Sequence, residues 1–189
     1  MNDFKTYHQE SAYTSPFSFR EKVGRVAWEL TWAFLCAWTP KPLNSWRVFC
    51  ARCFGATIEG SPFIHPRARI HIPWNLTLRD RSCLGDRANA YSLGEIELGE
   101  RSTIAQEAYL CTGTHDFSHP ALHLSVAKIT IGPDAFIGAR AFILPGIIVG
   151  DGAIIGACAV VTHDVPAKVI VAGNPAREIG RRPPASDKR

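Results

Sequence analysis

The sequence predicts an all-β solenoid, a parallel β-helix of triangular cross-section, with an N-terminal helical extension and a short C-terminal tail. Three observations predict it. From Ile131 onward an aliphatic residue recurs every six positions, at Ile131, Ile137, Ile143, Val149, Ile155 and Val161. Four of the six are followed by glycine (Gly132, Gly138, Gly150, Gly156), and a small residue stands four places on at Ala135, Ala141, Ala153 and Ala159. The same rhythm precedes a central break in "LGERST", "IAQEAY" and "LCTGTH", led by Leu98, Ile104 and Leu110. A period of six with one aliphatic site suits short strands stacked coil on coil, whereas an amphipathic helix needs spacings of three and four. With six residues to a side, three sides close a coil. Glycine and aspartate positions are expected to turn the chain where φ must be unusual.

The elements follow in order. Residues 1–56 form the expected extension, in which "REKVGRVAWELTWAFLCAW", residues 20–38, reads as an apolar, aromatic helix carrying Arg25 and Glu29. Its uncharged part is too short to span a bilayer. Pro40 and Pro42 stop it, and "LNSWRVFCARCFG" reads as a second helix with Asn44 as cap and Gly55 as terminator. Two readings of the extension compete. One is a cap that seals the open first coil, and the other is an interfacial anchor giving peripheral membrane contact through residues 20–38. The solenoid is expected over 57–172, its first coils shifting phase through Ile58, Ile64 and Ile70, then Ile72, Leu78 and Leu84. A loop at 115–128 interrupts it. Residues 173–189 form the C-terminal segment and its basic tail.

The 189 residues are 46% hydrophobic with a net charge of +4, enough apolar content for a sizeable core. No dense basic stripe with interleaved aromatics is present, which argues against a nucleic-acid partner. The six cysteines are dispersed, and the first residues lack a basic segment leading into an apolar core and cleavage site. The reducing cytoplasm is therefore the expected compartment. Cys50 and Cys53 have C-x-x-C spacing without a second pair, and buried thiols on an apolar helix face are expected rather than zinc or redox chemistry.

The break in the rhythm holds "CTGTHDFSHPALH", residues 111–123. His115, His119 and His123 are four apart, a spacing that would align them around a metal on a helix, but Pro120 argues against a continuous helix. His115 falls at the edge of the array; His119 and His123 lie beyond it in the loop. A loop end held by a rigid scaffold suits chemistry, and an imidazole can take a proton from an attacking hydroxyl.

The tandem hexapeptides "IGPDAF", "IGARAF" and "IGACAV" resemble those of the left-handed β-helix acyltransferases, which implies the left hand. "LGERSTIAQEAYLCTGTHDF" resembles the segment that ends in the catalytic histidine of sugar and xenobiotic O-acetyltransferases, such as the maltose and galactoside enzymes. With "HIPWNLTL", "AYSLGEIELGE" and "GNPAR", the chain is most similar to the colanic acid biosynthesis acetyltransferases. The resemblance implies acetyl transfer from acetyl-CoA to a sugar hydroxyl of an exopolysaccharide, on a lipid-linked or nucleotide-linked acceptor, without metal. It also implies a homotrimer; the cysteines and the apolar segment 20–38 add the expectation of a cytoplasmic protein peripheral to the inner face of the membrane.

The resemblance carries residue roles as well. His115 is the implied base, steadied by Asp116, a backbone carbonyl or Glu107, with the N–H of Gly138 or Ala139 as oxyanion donor. Where the family places an acceptor-binding asparagine between tyrosine and leucine, this chain reads Tyr91-Ser92-Leu93. Ser92 is thus an implied acceptor contact, with Asn89 as its substitute. Asp116 joins them, and Trp74 is either a sugar-stacking wall or a corner-packing aromatic. Coenzyme contacts map to Ala139, Ala157, Thr162 and Arg177. His163 stands where lysine is frequent, with Arg181 and Arg182 placed to compensate. The alternatives are a zinc enzyme of carbonic anhydrase type using His115, His119 and His123, and a non-catalytic membrane-associated scaffold.

Overall fold

The computed structural model describes residues 4–11 and 14–184, so the end of the basic tail, from residue 185, lies outside the described residues. Strands of two to four residues wind through three parallel faces. The first face stacks Thr57–Ile58, Leu76–Leu78, Ile96–Leu98, Ile129–Ile131 and Ile148–Val149. The second stacks Phe63–Ile64, Cys83–Leu84, Thr103–Ile104, Phe136–Ile137, Ile154–Ile155 and Val169–Ala172. The third stacks Arg69–Ile70, Asn89–Tyr91, Tyr109–Cys111, Phe142–Ile143 and Val160–Val161. The aliphatic positions read from the sequence point inward: Ile64, Leu84, Ile104, Ile137 and Ile155 form one continuous, fully buried ladder. Each such side chain removed from water contributes about 1.5–3 kcal/mol.

The early phase shift has a local cause. Ile58, Leu78 and Leu98 are in register 20 residues apart, while Ile131 and Val149 are 18 apart. The extra residues sit in the corner after the third face, where Pro73–Asn75 makes a 3-10 turn. Ile72, expected in the ladder, leaves the main core there and packs with Leu93, Leu124 and Val126.

The glycines directly after the aliphatic residue do not supply the unusual φ that the sequence suggested, whereas Gly146 and Gly152, three places after it, do, at φ +83° and +63°. A Cβ on Gly138 would lie 2.6 Å from the Ile155 carbonyl oxygen, so glycine is required there by the close approach of the next coil. The same third position is left-handed in other coils, at Asp134 as expected and also at Arg81, Arg87, Arg101, Glu107, Arg140 and Cys158, with φ between 54° and 59°. Coil stacking imposes that conformation on side chains that do not prefer it.

Two helices close the first coil. Helix α1, Phe19–Thr31, starts at Ser18 with a reciprocal capping box to Glu21 and continues into a π turn, Trp32–Cys36. Helix α2 spans Asn44–Cys53. Gly55 ends α2 as expected, with φ +90°, its N–H bonded to Arg52 and the Ala56 N–H to Ala51. Asn44 is not the cap: it lies inside the first turn, and its side chain bonds the Pro62 carbonyl and the Ile64 N–H of the first coil. Trp28 Nε1 donates to the Ile70 carbonyl at 2.7 Å, and Arg47 Nε to that of Ile64 at 2.8 Å. The extension therefore seals the open edge, as the capping reading held. Of the C-x-x-C pair, Cys50 is buried and Cys53 is exposed, against the expectation of two buried thiols.

The segment expected as a loop is a β-hairpin, Gly113–His115 paired with Leu124–Val126. A strand near the N-terminus, Lys5–Tyr7, adds to its outer edge. At the other end Arg177–Arg181 folds back antiparallel on Val169–Ala172, so the C-terminal segment is a strand rather than a free tail.

Candidate active site

The hairpin projects from the corner between the third and first faces, and side chains fasten its base. Thr112 Oγ1 donates to the Tyr91 carbonyl at 2.6 Å and accepts the Gly94 N–H at 2.9 Å. Leu93 packs beneath Gly113. His115 ends the first strand with its ring exposed, and its Nδ1 lies 2.8 Å from the Leu122 carbonyl oxygen. A carbonyl only accepts, so the neutral ring carries its proton on Nδ1 and leaves the Nε2 lone pair free. Leu122, at φ +48°, holds that carbonyl, and its N–H bonds the His119 carbonyl. Of the supports considered for His115, the backbone carbonyl is the one in place. Asp116 accepts from the backbone and hydroxyl of Ser118 at 2.9 and 2.6 Å, and those bonds hold its pKa below the usual range. Glu107 pairs with Arg140 and Arg87 on another edge.

The other two histidines do not converge with His115 on a metal. His119 and His123 stack with centroids 4.1 Å apart and planes 18° apart, and His8 meets His123 edge-on at 4.9 Å. His119 Nδ1 accepts from the Ala121 N–H and His123 Nδ1 from the Gln9 N–H, each at 3.1 Å. Near-parallel rings with these nitrogens engaged cannot jointly face one ion, and among the described residues no group of three or more ligand side chains is placed to do so. The three-histidine zinc reading is corrected on that geometry.

Gln9 is a residue that sequence reasoning missed. Its N–H holds the His123 ring while its Oε1 accepts the Leu124 N–H at 3.1 Å, so the N-terminal strand clamps the hairpin through a neutral imidazole. Burial, then the neighbouring His119 and His8, pushes the His123 pKa down against the opposing pull of Asp116. Burial likewise lowers His71 and His65. A lowered native pKa means the unfolded chain binds more protons between the native values and about 6.5, so stability rises with pH there and is lost as pH falls through that window. The melting temperature should therefore drop between about pH 7 and pH 5. Paired carboxylates such as Glu97 and Asp134, whose pKa values are lowered, do not yet contribute there. His123→Gln should flatten the slope, and melts that do not vary with pH would count against this account.

The acceptor candidates separate. Ser92 is fully buried, and its hydroxyl donates to the Ile72 carbonyl and accepts the Ile72 N–H, both at 2.9 Å. It ties one corner to the next and is unavailable to an acceptor. Trp74 packs between Gly24 of α1 and Gly55, where an added Cβ would meet it at 3.1 and 2.9 Å, which is the corner-packing role. Asn89 stands on the third face in register with Arg69 and Tyr109, and its Oδ1 is buried without a hydrogen-bond partner.

The coenzyme candidates fall in two places. Thr162, His163 and Arg177 line a cavity of about 390 Å³ at the last coil, with the Thr162 hydroxyl 2.9 Å from His163 Nδ1. Ala139 and Ala157 occupy the corner between the second and third faces. The Gly138 N–H is spent on the Ile155 carbonyl, which removes it as an oxyanion donor. Arg182 is committed elsewhere, donating to the carbonyls of Asp134 and Gly152, so it does not reinforce Arg177.

The bacterial transferase hexapeptide (six repeats) family matches residues 128–163. WcaF of Escherichia coli strain K12, named as an acetyltransferase of colanic acid biosynthesis, is 38% identical over 174 residues, which cover 91% of this chain and 96% of WcaF. The chain belongs to the hexapeptide-repeat acetyltransferases. Among solved structures, a hexapeptide-repeat acetyltransferase of Vibrio cholerae O1 biovar eltor, complexed with acetyl coenzyme A, superposes with a TM-score of 0.81 at 17% identity, covering 91% of this chain and 94% of that one. A maltose O-acetyltransferase from Clostridium difficile 630 gives 0.74 at 22% identity, covering 88% and 90%. The fold is the left-handed parallel β-helix. Among the described residues no helix is long and apolar enough to cross a membrane.

Proposed function

We propose that this acetyltransferase moves the acetyl group of acetyl-CoA to a hydroxyl of a sugar in exopolysaccharide biosynthesis, with His115 as general base. The observation that carries the reading is the bond from His115 Nδ1–H to the Leu122 carbonyl, which leaves Nε2 as an acceptor on a firmly held strand end. Nε2 takes the hydroxyl proton as the sugar oxygen attacks the thioester carbonyl. The carbonyl electrons move to oxygen, and the Ala139 N–H, which has no acceptor among the described residues, donates to that oxyanion. Collapse breaks the carbon–sulfur bond, and the thiolate leaves with the proton from Nε2. The imidazolium formed in between is steadied by the same Leu122 carbonyl.

Thr162 and Arg177 hold the coenzyme phosphates in this reading, since an exposed guanidinium at the last coil offers forked donors to phosphate oxygens. Asn89 is the acceptor contact. A homotrimer completes the site: His115 and the pair Ala139 and Ala157 stand on different edges of one prism, and threefold packing sets one protomer's histidine against the next protomer's coenzyme edge. The cytoplasm is the setting, in keeping with six free cysteines.

Incubating the protein with acetyl-CoA and a panel of lipid-linked and nucleotide-linked sugars tests this reading, with products followed by mass. One alkali-labile acetyl ester on a sugar is expected. An alkali-stable amide, or no acetyl gain on any sugar hydroxyl, would overturn it.

A further inference from the structure

Helix α1 is apolar on two opposite sides, and only one of them touches the solenoid. At 100° per residue, buried Trp28 and the Gly24 that packs on Trp74 lie on one side. Phe19, Val23, Val26 and Leu30 form a stripe on the other, each more than half exposed. A helix with two apolar sides needs an apolar neighbour on each, and within the protein only one of them has it. The stripe continues past the helix end. Phe34 and Trp38 are 69% and 72% exposed, and Trp46 and Phe49 of α2 stack on each other beside them, with Trp46 Nε1 donating to the Leu35 carbonyl. This one contiguous region of two helices contrasts with scattered single apolar side chains, which need no explanation.

The charge around the patch selects its partner. Arg20 and Lys22 stand beside the stripe, and Lys41 at the helix junction, all exposed. The acids are fewer: Glu29 is exposed, while the carboxylate of Glu21 is engaged by Ser18 at the helix start. Exposed aromatics including tryptophan, with cations at the rim, match an anionic bilayer surface, where rings sit at headgroup depth and cations meet lipid phosphate. A helix of 13 residues is too short to cross and lies in the plane.

We propose that α1, the π turn and the exposed side of α2 form a monotopic docking face for an anionic membrane, with the β-helix standing off the surface. The attachment does not depend on the acetyl acceptor. It gives the extension a second task beside sealing the first coil, because the sealing contacts come from Trp28, Asn44 and Arg47 on the opposite side.

The test is cosedimentation of the full chain with vesicles of phosphatidylcholine alone and of phosphatidylcholine mixed with phosphatidylglycerol. Binding to the anionic vesicles is expected, weakened by salt, with a blue shift of tryptophan emission. Phe34→Ser with Trp38→Ser should weaken partitioning about tenfold or more, and Arg20→Gln and Lys22→Gln about fivefold each. The substituted side chains are exposed, so melting temperature and acetyl transfer to a water-soluble acceptor should stay unchanged. Wild-type protein that remains in the supernatant with both vesicles would overturn the proposal. So would a drop in solution mass caused by Phe34→Ser and Trp38→Ser, which would assign the face to a second copy of the chain.

Discussion

Replacing His115 with alanine is expected to lower turnover by about a hundred- to ten-thousand-fold, with little change in melting temperature or in the KM for acetyl-CoA. The two halves of that expectation have separate grounds. The ring is exposed and among the described residues makes one hydrogen bond, to the carbonyl of exposed Leu122, so its removal leaves no buried group there without a partner. The same bond fixes the tautomer that leaves the Nε2 lone pair open, so removing the ring deletes the proposed base. His115→Gln is the sharper variant, because an amide can still donate to Leu122 yet cannot take a proton from an alcohol. It should be as slow as alanine. Coenzyme release followed with a thiol reagent measures the rate once the background from exposed Cys53 and Cys158 has been subtracted. Turnover retained within a few-fold would mean that proton removal is not carried by this residue.

The solenoid was legible because its rule is local: one aliphatic side chain in six must point inward, and a mismatch shows at once. The place of His115 was legible for the same reason, since Leu110 fixes the phase up to the break and the histidine falls where the strand leaves the face. Residues whose roles depend on partners far along the chain were not legible. Lys5–Tyr7 pairs with Leu124–Val126 across more than a hundred residues, and no periodicity in three residues announces it. Gln9 acquires its role only through that pairing. Ser92 looked available because a hydroxyl can serve any partner; the two-residue excursion at Ile72 decides that it serves the backbone. The turns misled in a different way. Glycine directly after the aliphatic marks a distance between coils rather than a conformation, and at the left-handed turn arginine, glutamate and cysteine stand beside Gly146 and Gly152 because the stack demands it.

The second large effect is expected far from the chemistry, at Arg47. Changing it to methionine should destabilise the N-terminal end of the solenoid by about 3–5 kcal/mol, or roughly 10 °C in melting temperature if the chain unfolds cooperatively. The first coil has no coil below it, so the edge-facing groups of its strands would be left unpaired. Arg47 is fully buried, with Nε on the Ile64 carbonyl, Nη1 on the Thr39 hydroxyl and Pro40 carbonyl, and Nη2 on the Lys41 carbonyl, all within 2.9 Å. Burial lowers its pKa, yet a guanidinium stays charged at any ordinary pH, and carbonyl and hydroxyl dipoles rather than a carboxylate compensate it. Methionine fills most of the volume but leaves the buried Ile64 carbonyl and Thr39 hydroxyl without this donor and away from water. Lysine keeps the charge but gathers its donors at one point, so it cannot span from Thr39 to Ile64 and should be nearly as damaging. Coils in a solenoid contact only their neighbours, so the loss should be graded along the axis. Hydrogen exchange should accelerate at Phe63–Ile64 and Arg69–Ile70 while Ile154–Ile155 keeps its protection. Uniform acceleration along the whole axis would show that the cap and the array unfold as one unit, and that Arg47 stabilises the entire solenoid rather than its first edge.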